Sequence, residues 1–280
     1  MKIREGITGT GLKTIALIAM VMDHIHYFFG FTGWIPEWFS MVGRLSAPLF
    51  LFCVVEGFAH TSNRRRYFLR VWAIAAGMGL AQYAMMRWGV GVRPDGFIPM
   101  NAAMKNFVIL MVIWQGMDWL KQRRFVRGAA AVLLPLLMPY GMVLLIMQFP
   151  VLSEPLTLIC NTALPAWTAA TEFGIDVLLI GVALYALRNR RIWQAVAFAA
   201  IHFAYYFVYM AVLLQQNMPR FALSQMFTTY YEWMGVFAAP LMLGYNGRRG
   251  AGYKKLFYAF YPAHVYILYA LSWAALAWMG

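Results

Sequence analysis

Apolar runs of about 20 residues recur along this 280-residue chain, and each is long enough to cross the hydrocarbon core of a bilayer as a helix. Hydrophobic residues make up 62% of the sequence and charged residues only 12%, against about 25% charged in ordinary soluble domains. Backbone groups find no hydrogen-bond partners in lipid, so such runs must form helices. The sequence therefore predicts an all-α fold, a polytopic transmembrane helical bundle, rather than a single large soluble helical domain.

Hydropathy divides the chain into about nine spans, with no internal repeat and no low-complexity linker between them. They cover residues 12–30, 39–60, 67–88, 102–120, 127–148, 173–187, 192–214, 231–245 and 254–278. Residues 1–280 are therefore predicted to form one integral-membrane domain. The first run contains Asp23 and has no small-residue cleavage pattern, so we interpret it as a retained first span rather than a signal peptide.

Basic residues alternate along the connections between the predicted spans. Most of the 23 Lys and Arg residues lie before the first span or after the second, fourth, sixth and eighth spans. Because positively charged connections stay in the cytoplasm, we predict a cytoplasmic N-terminus. Anionic lipid then accounts for the net charge of +13 without a nucleic-acid partner. Connection 149–167 is long enough for an interfacial or re-entrant element.

Several ionisable residues interrupt the apolar runs, where contact with lipid is costly and such groups are typical of functional sites. They are Asp23, His24, His26, Arg44, Glu56, His60, His202 and His264. Asp23 and His24 are adjacent, so on a helix their side chains point about 100° apart and cannot simply pair. A buried carboxylate without a partner takes up a proton, so we expect Asp23 to pair with His26 or with Arg44 on the next helix.

Two prolines lie among these polar residues. Pro48 lacks a backbone donor and is predicted to kink the second helix near its middle, which would reorient Arg44 relative to Glu56. Pro262 similarly interrupts the last helix two residues before His264. The two cysteines lie in different segments and indicate neither a metal site nor a disulfide, so no metal is predicted.

These polar segments resemble the TraX family. The resemblance is carried by "LKTIALIAMVMDHIH", "VGRLSAPLFLFCVVEGFAHTSNRRRYFLRV" and "YNGRRG…KKLFYAFYPAHVYILYAL". It is specific over residues 12–70 and 243–270, and between them it rests on hydropathy and on "EFGIDVLLIG" around Asp176. Members of this family are membrane proteins linked to N-terminal acetylation of F-type conjugative pilin. The family is similar in turn to the wider group of transmembrane acyltransferases.

The resemblance implies an acyl transfer reaction. Acetyl-CoA would be the cytosolic co-substrate, and the acceptor would be an amine or hydroxyl of an envelope molecule: a pilin N-terminus, a glycan or a membrane lipid. By resemblance, His24 matches the histidine that these acyltransferases carry in an early transmembrane helix. The other two motifs are matched by Arg44, Pro48, Glu56, Gly57, His60, Thr61, Arg70, Tyr261, Pro262 and His264.

Acyl transfer needs a base for the acceptor, donors for the oxyanion and a grip on the acyl donor. His24 is the predicted base because an imidazole titrates near neutral pH, and an acetyl-histidine intermediate stays open as an alternative. The predicted catalytic set is His24, Asp23, Arg44, Glu56 and His264, and the predicted substrate-binding residues are Tyr261 and Asp176. Because arginine forks bind phosphate, we assign CoA binding to His60, Arg64, Arg65, Arg66, Arg70, Arg248, Arg249 and Lys254.

Two other functions fit the same residues. A proton-coupled secondary transporter also uses intramembrane Asp, His and Arg side chains beside kinking prolines. A structural subunit of a membrane assembly could use the polar set to join its helices. Consumption of labelled acetyl-CoA by the purified protein separates the enzyme from both alternatives.

Overall fold

The computed structural model describes residues 6–167, 171–252 and 254–279, with backbone alone at 254–256. Within these ranges the chain forms helices and turns and no strand, apart from one isolated bridge between Ile7 and Tyr245. The α-helices are α1 Gly9–Phe29, α2 Trp38–Gly43, α3 Ser46–His60, α4 Arg64–Trp88, α5 Ala103–Lys121, α6 Phe125–Gln148, α7 Ser153–Asn161, α8 Ile175–Ala186, α9 Arg191–Phe203, α10 Met210–Asn217, α11 Ala238–Leu243 and α12 Lys254–Met279.

Every predicted apolar run contains helical structure, so the all-α prediction is confirmed for the described residues. The seventh run consists of α9, a π-helical segment Ala204–Tyr209 and α10, and the eighth consists of a 3-10 helix Tyr231–Phe237 followed by α11. Among the described residues, four helical segments are long and apolar enough to cross a membrane. They are Gly9–Thr32, Trp38–His60, Phe125–Gln148 and Arg191–Asn217. The count of nine spans stays a prediction.

The predicted kink in the second run lies earlier than Pro48. Helix α2 ends at Gly43 and α3 begins at Ser46, so Pro48 occupies the first turn of α3 and the helix breaks at Arg44. The reason is that a proline cannot donate to the carbonyl four residues before it, which here is the carbonyl of Arg44. In α12, by contrast, the helix continues through Pro262.

Local signals set several helix ends. The Thr8 side chain accepts a hydrogen bond from the Gly11 backbone N–H and caps α1. The Asn63 side chain does the same for the Arg66 N–H at the start of α4. Helix α4 ends at Trp88, and the next residue, Gly89, caps it with a φ of 67°, a conformation that favours glycine.

Backbone contacts divide the chain into two compact units, and we call them the first and second units. The first unit comprises Met1–Gly57 and Leu179–Gly280, and the second comprises Phe58–Leu178. In the first unit α1 packs on α2 and α12, and α9 packs on α11 and on the Tyr231–Phe237 helix. A Cβ on Gly43 would overlap the Asp23 side chain, so glycine is what lets α2 approach α1 here.

The second unit is built around α5, which packs on α4 and on α6. Residues along 107–114 are almost all buried, including Leu110 and Trp114. A Cβ on Gly116 would lie 2.9 Å from the carbonyl oxygen of Gly128, so these glycines allow α5 and α6 to pack closely. The outward side chains of α6 are mostly exposed and apolar, as in a helix that faces lipid.

Candidate active site

Two histidines from opposite ends of the chain meet inside the first unit. His24 on α1 is 5% exposed and His264 on α12 is 6% exposed. Nδ1 of His24 lies 2.6 Å from Nε2 of His264, and the ring planes are only 7° apart. The ring centroids are 4.8 Å apart, which fits two imidazoles joined edge to edge in nearly one plane. That arrangement is a nitrogen–nitrogen hydrogen bond rather than a face-to-face stack.

The backbone determines which nitrogens carry protons when both rings are neutral. Nδ1 of His264 lies 2.8 Å from the carbonyl oxygen of Phe260, and a carbonyl can only accept, so this nitrogen carries the hydrogen. Nε2 of His264 then accepts, and Nδ1 of His24 donates to it. The other ring nitrogen of His24, Nε2, therefore carries a lone pair. A general base needs an imidazole in this form.

Aromatic rings surround the histidine pair. The Tyr261 ring, predicted to bind substrate, lies 5.9 Å from the His264 ring at an angle of 62°, and the Phe260 ring stacks on the His264 ring at 5.0 Å. Phe28 meets His24 edge-on at 6.1 Å. These contacts restrict both imidazoles to the orientations that their hydrogen bond requires.

The predicted pairing of Asp23 with Arg44 is confirmed. Nη2 of Arg44 donates to Oδ1 of Asp23 in a close contact, and Oγ of Ser40 donates to the same carboxylate oxygen at 3.0 Å. Nε of Arg44 also donates to the Ser40 carbonyl at 3.0 Å. Both side chains are half-buried, and their ion pair joins α1 to the break between α2 and α3.

A second carboxylate extends this pair. Oε1 of Glu232 lies 3.6 Å from Nη1 of Arg44. The neighbouring Tyr231 hydroxyl donates to Oε2 of Glu37 at 2.9 Å, and Nε2 of His26 lies 3.5 Å from that same oxygen. His26 therefore faces Glu37 rather than Asp23, which leaves Arg44 as the partner of Asp23.

Glu56 forms a separate buried ion pair. Its carboxylate accepts from Nη1 and Nη2 of Arg191 at 3.2 and 3.1 Å. Arg191 also donates to Oε1 of Gln194 and lies over the rings of Phe52 and Tyr245. The Arg191 guanidinium, held by two aromatic rings and by a bidentate carboxylate, joins α9 to α3. Glu56 therefore has a structural partner that sequence spacing did not indicate.

The predicted CoA-binding residues divide between the units. In the second unit, Arg64 donates to Oδ2 of Asp118 at 2.7 Å and lies over the Phe58 ring, so it is part of the packing. His60, Arg65, Arg66 and Arg70 are exposed on the same unit, and Arg248 and Arg249 are exposed on the first unit. The side chain of Lys254 lies outside the described residues.

The remaining predicted site residue, Asp176, belongs to the second unit. It lies in the first turn of α8 and is buried, and a Cβ on Gly174 would lie 3.0 Å from its Oδ1. The connection before α5 carries another carboxylate: Asp95 accepts from the buried Arg93 at 2.7 Å. That hydrogen bond lowers the pKa of the Asp95 carboxyl.

Sequence reasoning missed several polar residues. Ser40, Glu232 and Arg191 lack any local spacing that would link them to Asp23 or Glu56. Lys105 carried a usable signal, because it is a lysine within a predicted span. It is 1% exposed, and its Nζ donates to Oε1 of Gln82 at 3.1 Å and to Oδ1 of Asn161 at 3.3 Å.

Comparison with known proteins identifies the family. The family model for the TraX protein matches residues 8–272 of this chain. The chain is also similar to "Probable fimbrial assembly protein FimC, serogroup H1" of Dichelobacter nodosus, with 28% identity over 261 residues, 92% of each chain. No solved structure matches the chain. Since the family match covers nearly the whole sequence, this chain belongs to the TraX family.

Proposed function

We propose that this protein is an integral-membrane acyltransferase that moves an acetyl group from cytosolic acetyl-CoA to an amine or hydroxyl of an envelope acceptor. The observation that carries the proposal is the buried His24–His264 hydrogen bond, whose outer lone pair lies on Nε2 of His24. Membership of the TraX family and similarity to a named fimbrial assembly protein support a pilin N-terminus as the acceptor, with glycan or lipid as the other candidates.

In the proposed reaction, Nε2 of His24 takes the proton from the acceptor as its nitrogen or oxygen attacks the thioester carbonyl. The carbon–sulfur bond then breaks, and the CoA thiolate leaves and receives that proton from His24. His264 acts as a positioning residue, because its protonated Nδ1 on the Phe260 carbonyl fixes which nitrogen of His24 is basic. An acetyl group carried briefly on Nε2 of His24 is the two-step version of the same transfer.

The neighbouring charges have supporting roles in this proposal. Arg44 and Tyr261 are the candidates to stabilise the oxyanion, and the Asp23 carboxylate orients the Arg44 guanidinium. The phosphates of CoA are assigned, as the sequence predicts, to Arg65, Arg66, Arg70, Arg248 and Arg249, all of which are exposed. Arg64 is removed from that role because Asp118 already binds it.

The topology that serves this chemistry has about nine spans with a cytoplasmic N-terminus in the inner membrane of a bacterium, as one integral-membrane domain. This orientation places the basic connections on the side where acetyl-CoA is made. Four candidate membrane-spanning helices and the alternating basic connections support it.

The test is transfer from labelled acetyl-CoA by the purified protein in lipid nanodiscs. His24→Ala should lower transfer by about a thousandfold, within the range that a general base supplies. The matched control is His26→Ala, two residues further along α1, whose ring faces Glu37 and should be dispensable. Full activity in a correctly folded His24→Ala protein would remove His24 from the mechanism. Substrate-dependent flux without loss of thioester would favour the transporter.

A further inference from the structure

His202 is a buried histidine of the first unit that the proposed reaction does not use. It lies at the end of α9, one residue before Phe203 and the π-helical segment Ala204–Tyr209. Its ring is 6% exposed and lies between the rings of Phe198 and Tyr206, at centroid distances of 5.3 and 4.6 Å. Single-turn π-helical segments inside α-helices occur frequently at functional sites, which supports a functional role for this position.

The two nitrogens of His202 have different surroundings. Nε2 lies 3.1 Å from the backbone carbonyl oxygen of Glu232, and since a carbonyl only accepts, Nε2 carries the hydrogen. Nδ1 of the neutral ring therefore carries the lone pair. This atom is buried and has no hydrogen-bond partner among the residues that the structure describes. Buried acceptors are nearly always satisfied, so an unsatisfied one calls for a specific explanation.

His202 is joined to the Asp23–Arg44 ion pair through two links. Glu232, whose carbonyl oxygen accepts from His202, also places its carboxylate 3.6 Å from Arg44. A Cβ on Gly235 would lie 2.5 Å from Nε2 of His202 and 3.0 Å from the carbonyl oxygen of Arg44. The His202 ring and the break at Arg44 therefore converge on one glycine, and any larger residue there would force them apart.

We propose that Nδ1 of His202 binds the acceptor substrate by accepting a hydrogen bond from its N–H or O–H group. This inference rests on the proposed acyl transfer. The ligand must be a hydrogen-bond donor, because the lone pairs of a carboxylate or phosphate oxygen would repel that of Nδ1. Amines and hydroxyls are donors and are also the nucleophiles that acyl transfer requires. His202 thus contacts the acceptor, and it does not contact the phosphates of CoA.

Substitutions can separate this contact from a structural role. The amide of His202→Gln can still donate to the Glu232 carbonyl, as Nε2 does, but it places no acceptor where Nδ1 lies. His202→Leu removes both the hydrogen-bond donor to Glu232 and the acceptor at Nδ1. With octylamine and octanol as model acceptors, His202→Gln should raise the acceptor KM about tenfold, the cost of one hydrogen bond, and leave the KM for acetyl-CoA unchanged. If Gln restores the wild-type acceptor KM while Leu does not, the role of His202 is structural and the proposal is wrong.

A binding measurement gives a second, independent result. The His24→Ala protein in nanodiscs, labelled with ¹⁵N-histidine, cannot turn over but keeps His202. Adding octylamine or octanol should shift the Nδ1 resonance of His202, and the same addition to His202→Gln should show no such signal. No shift with either probe overturns the contact and indicates that ordered water alone satisfies Nδ1.

The two measurements also distinguish this inference from the function beneath it. If the Nδ1 resonance shifts but the protein never consumes acetyl-CoA, His202 still binds a hydrogen-bond donor and the acyltransferase proposal is wrong. If the protein transfers acetyl groups but the His202 resonance does not shift, the acyltransferase proposal stands and the proposed contact of His202 with the acceptor is wrong.

Discussion

The two units use their polar residues in different ways. In the first unit, ionisable groups form a connected series: Asp23 binds Arg44, Arg44 meets Glu232, and the Glu232 backbone accepts from His202. In the second unit, ion pairs are separate from one another, with Arg64 on Asp118, Arg87 on Glu154 and Arg93 on Asp95. Connected, partly buried charges suit proton transfer, whereas isolated pairs fasten helices and loops.

Lys105 makes the contrast sharper. It is the most deeply buried charge among the described residues of the second unit, and its Nζ donates to the amide oxygens of Gln82 and Asn161. Neutral partners can hold a lysine in place but cannot relay a proton to a substrate as paired imidazoles can. We therefore expect substitutions in the connected series of the first unit to change chemistry, and substitutions among the packed helices of the second unit to change stability.

Among the tests of this contrast, the largest expected effect belongs to His264. His264→Leu should lower kcat about a hundredfold, equivalent to about 2.7 kcal/mol, because His24 loses the acceptor that fixes its tautomer. His264→Gln should recover part of this loss, because its amide oxygen can accept from Nδ1 of His24. The measurement is kcat for acetyl transfer across pH 5 to 9, where a positioning role also changes the pH profile. Equal activity in both variants and wild type would break the contrast between the units.

The next effect concerns stability alone, in the second unit. A Cβ on Gly79 would overlap the backbone carbonyl of Asn161, so Gly79→Ala should cost about 1–3 kcal/mol of unfolding free energy. The matched control is Gly77→Ala, two residues earlier on α4, where a Cβ meets no atom within 4 Å. Thermal unfolding in nanodiscs measures both. A large loss of kcat per folded molecule in Gly79→Ala would contradict a purely structural role for this helix contact.

The smallest effect tests the ion pair. Arg44→Leu leaves the half-buried Asp23 carboxylate without its guanidinium and should cost about 1–2 kcal/mol of stability as well as activity. The double variant Asp23→Asn with Arg44→Leu should recover most of the stability, since no charge is stranded, yet remain inactive. Unfolding midpoints and transfer rates of the three variants measure this. Recovery of activity in the double variant would show that the pair serves folding only.

The helical fold follows from the sequence because apolar runs of this length have few alternatives, and all of them contain helical structure here. The Asp23–Arg44 pair was equally predictable, because neighbouring spans offered Asp23 only two partners. The break at Arg44 was misplaced by four residues, since a proline disturbs the carbonyl one turn before it. The His24–His264 bond could not be derived from local pattern, because only tertiary packing brings α12 onto α1.

The separation of 240 residues between His24 and His264 has a consequence for biogenesis. The ribosome releases α1 to the insertion machinery long before it translates α12, so the imidazole of His24 enters the membrane without its partner. A polypeptide that stops before α12 lacks His264 and therefore lacks the imidazole pair. In the proposed mechanism, the base is complete only once α12 has been made and has packed on α1.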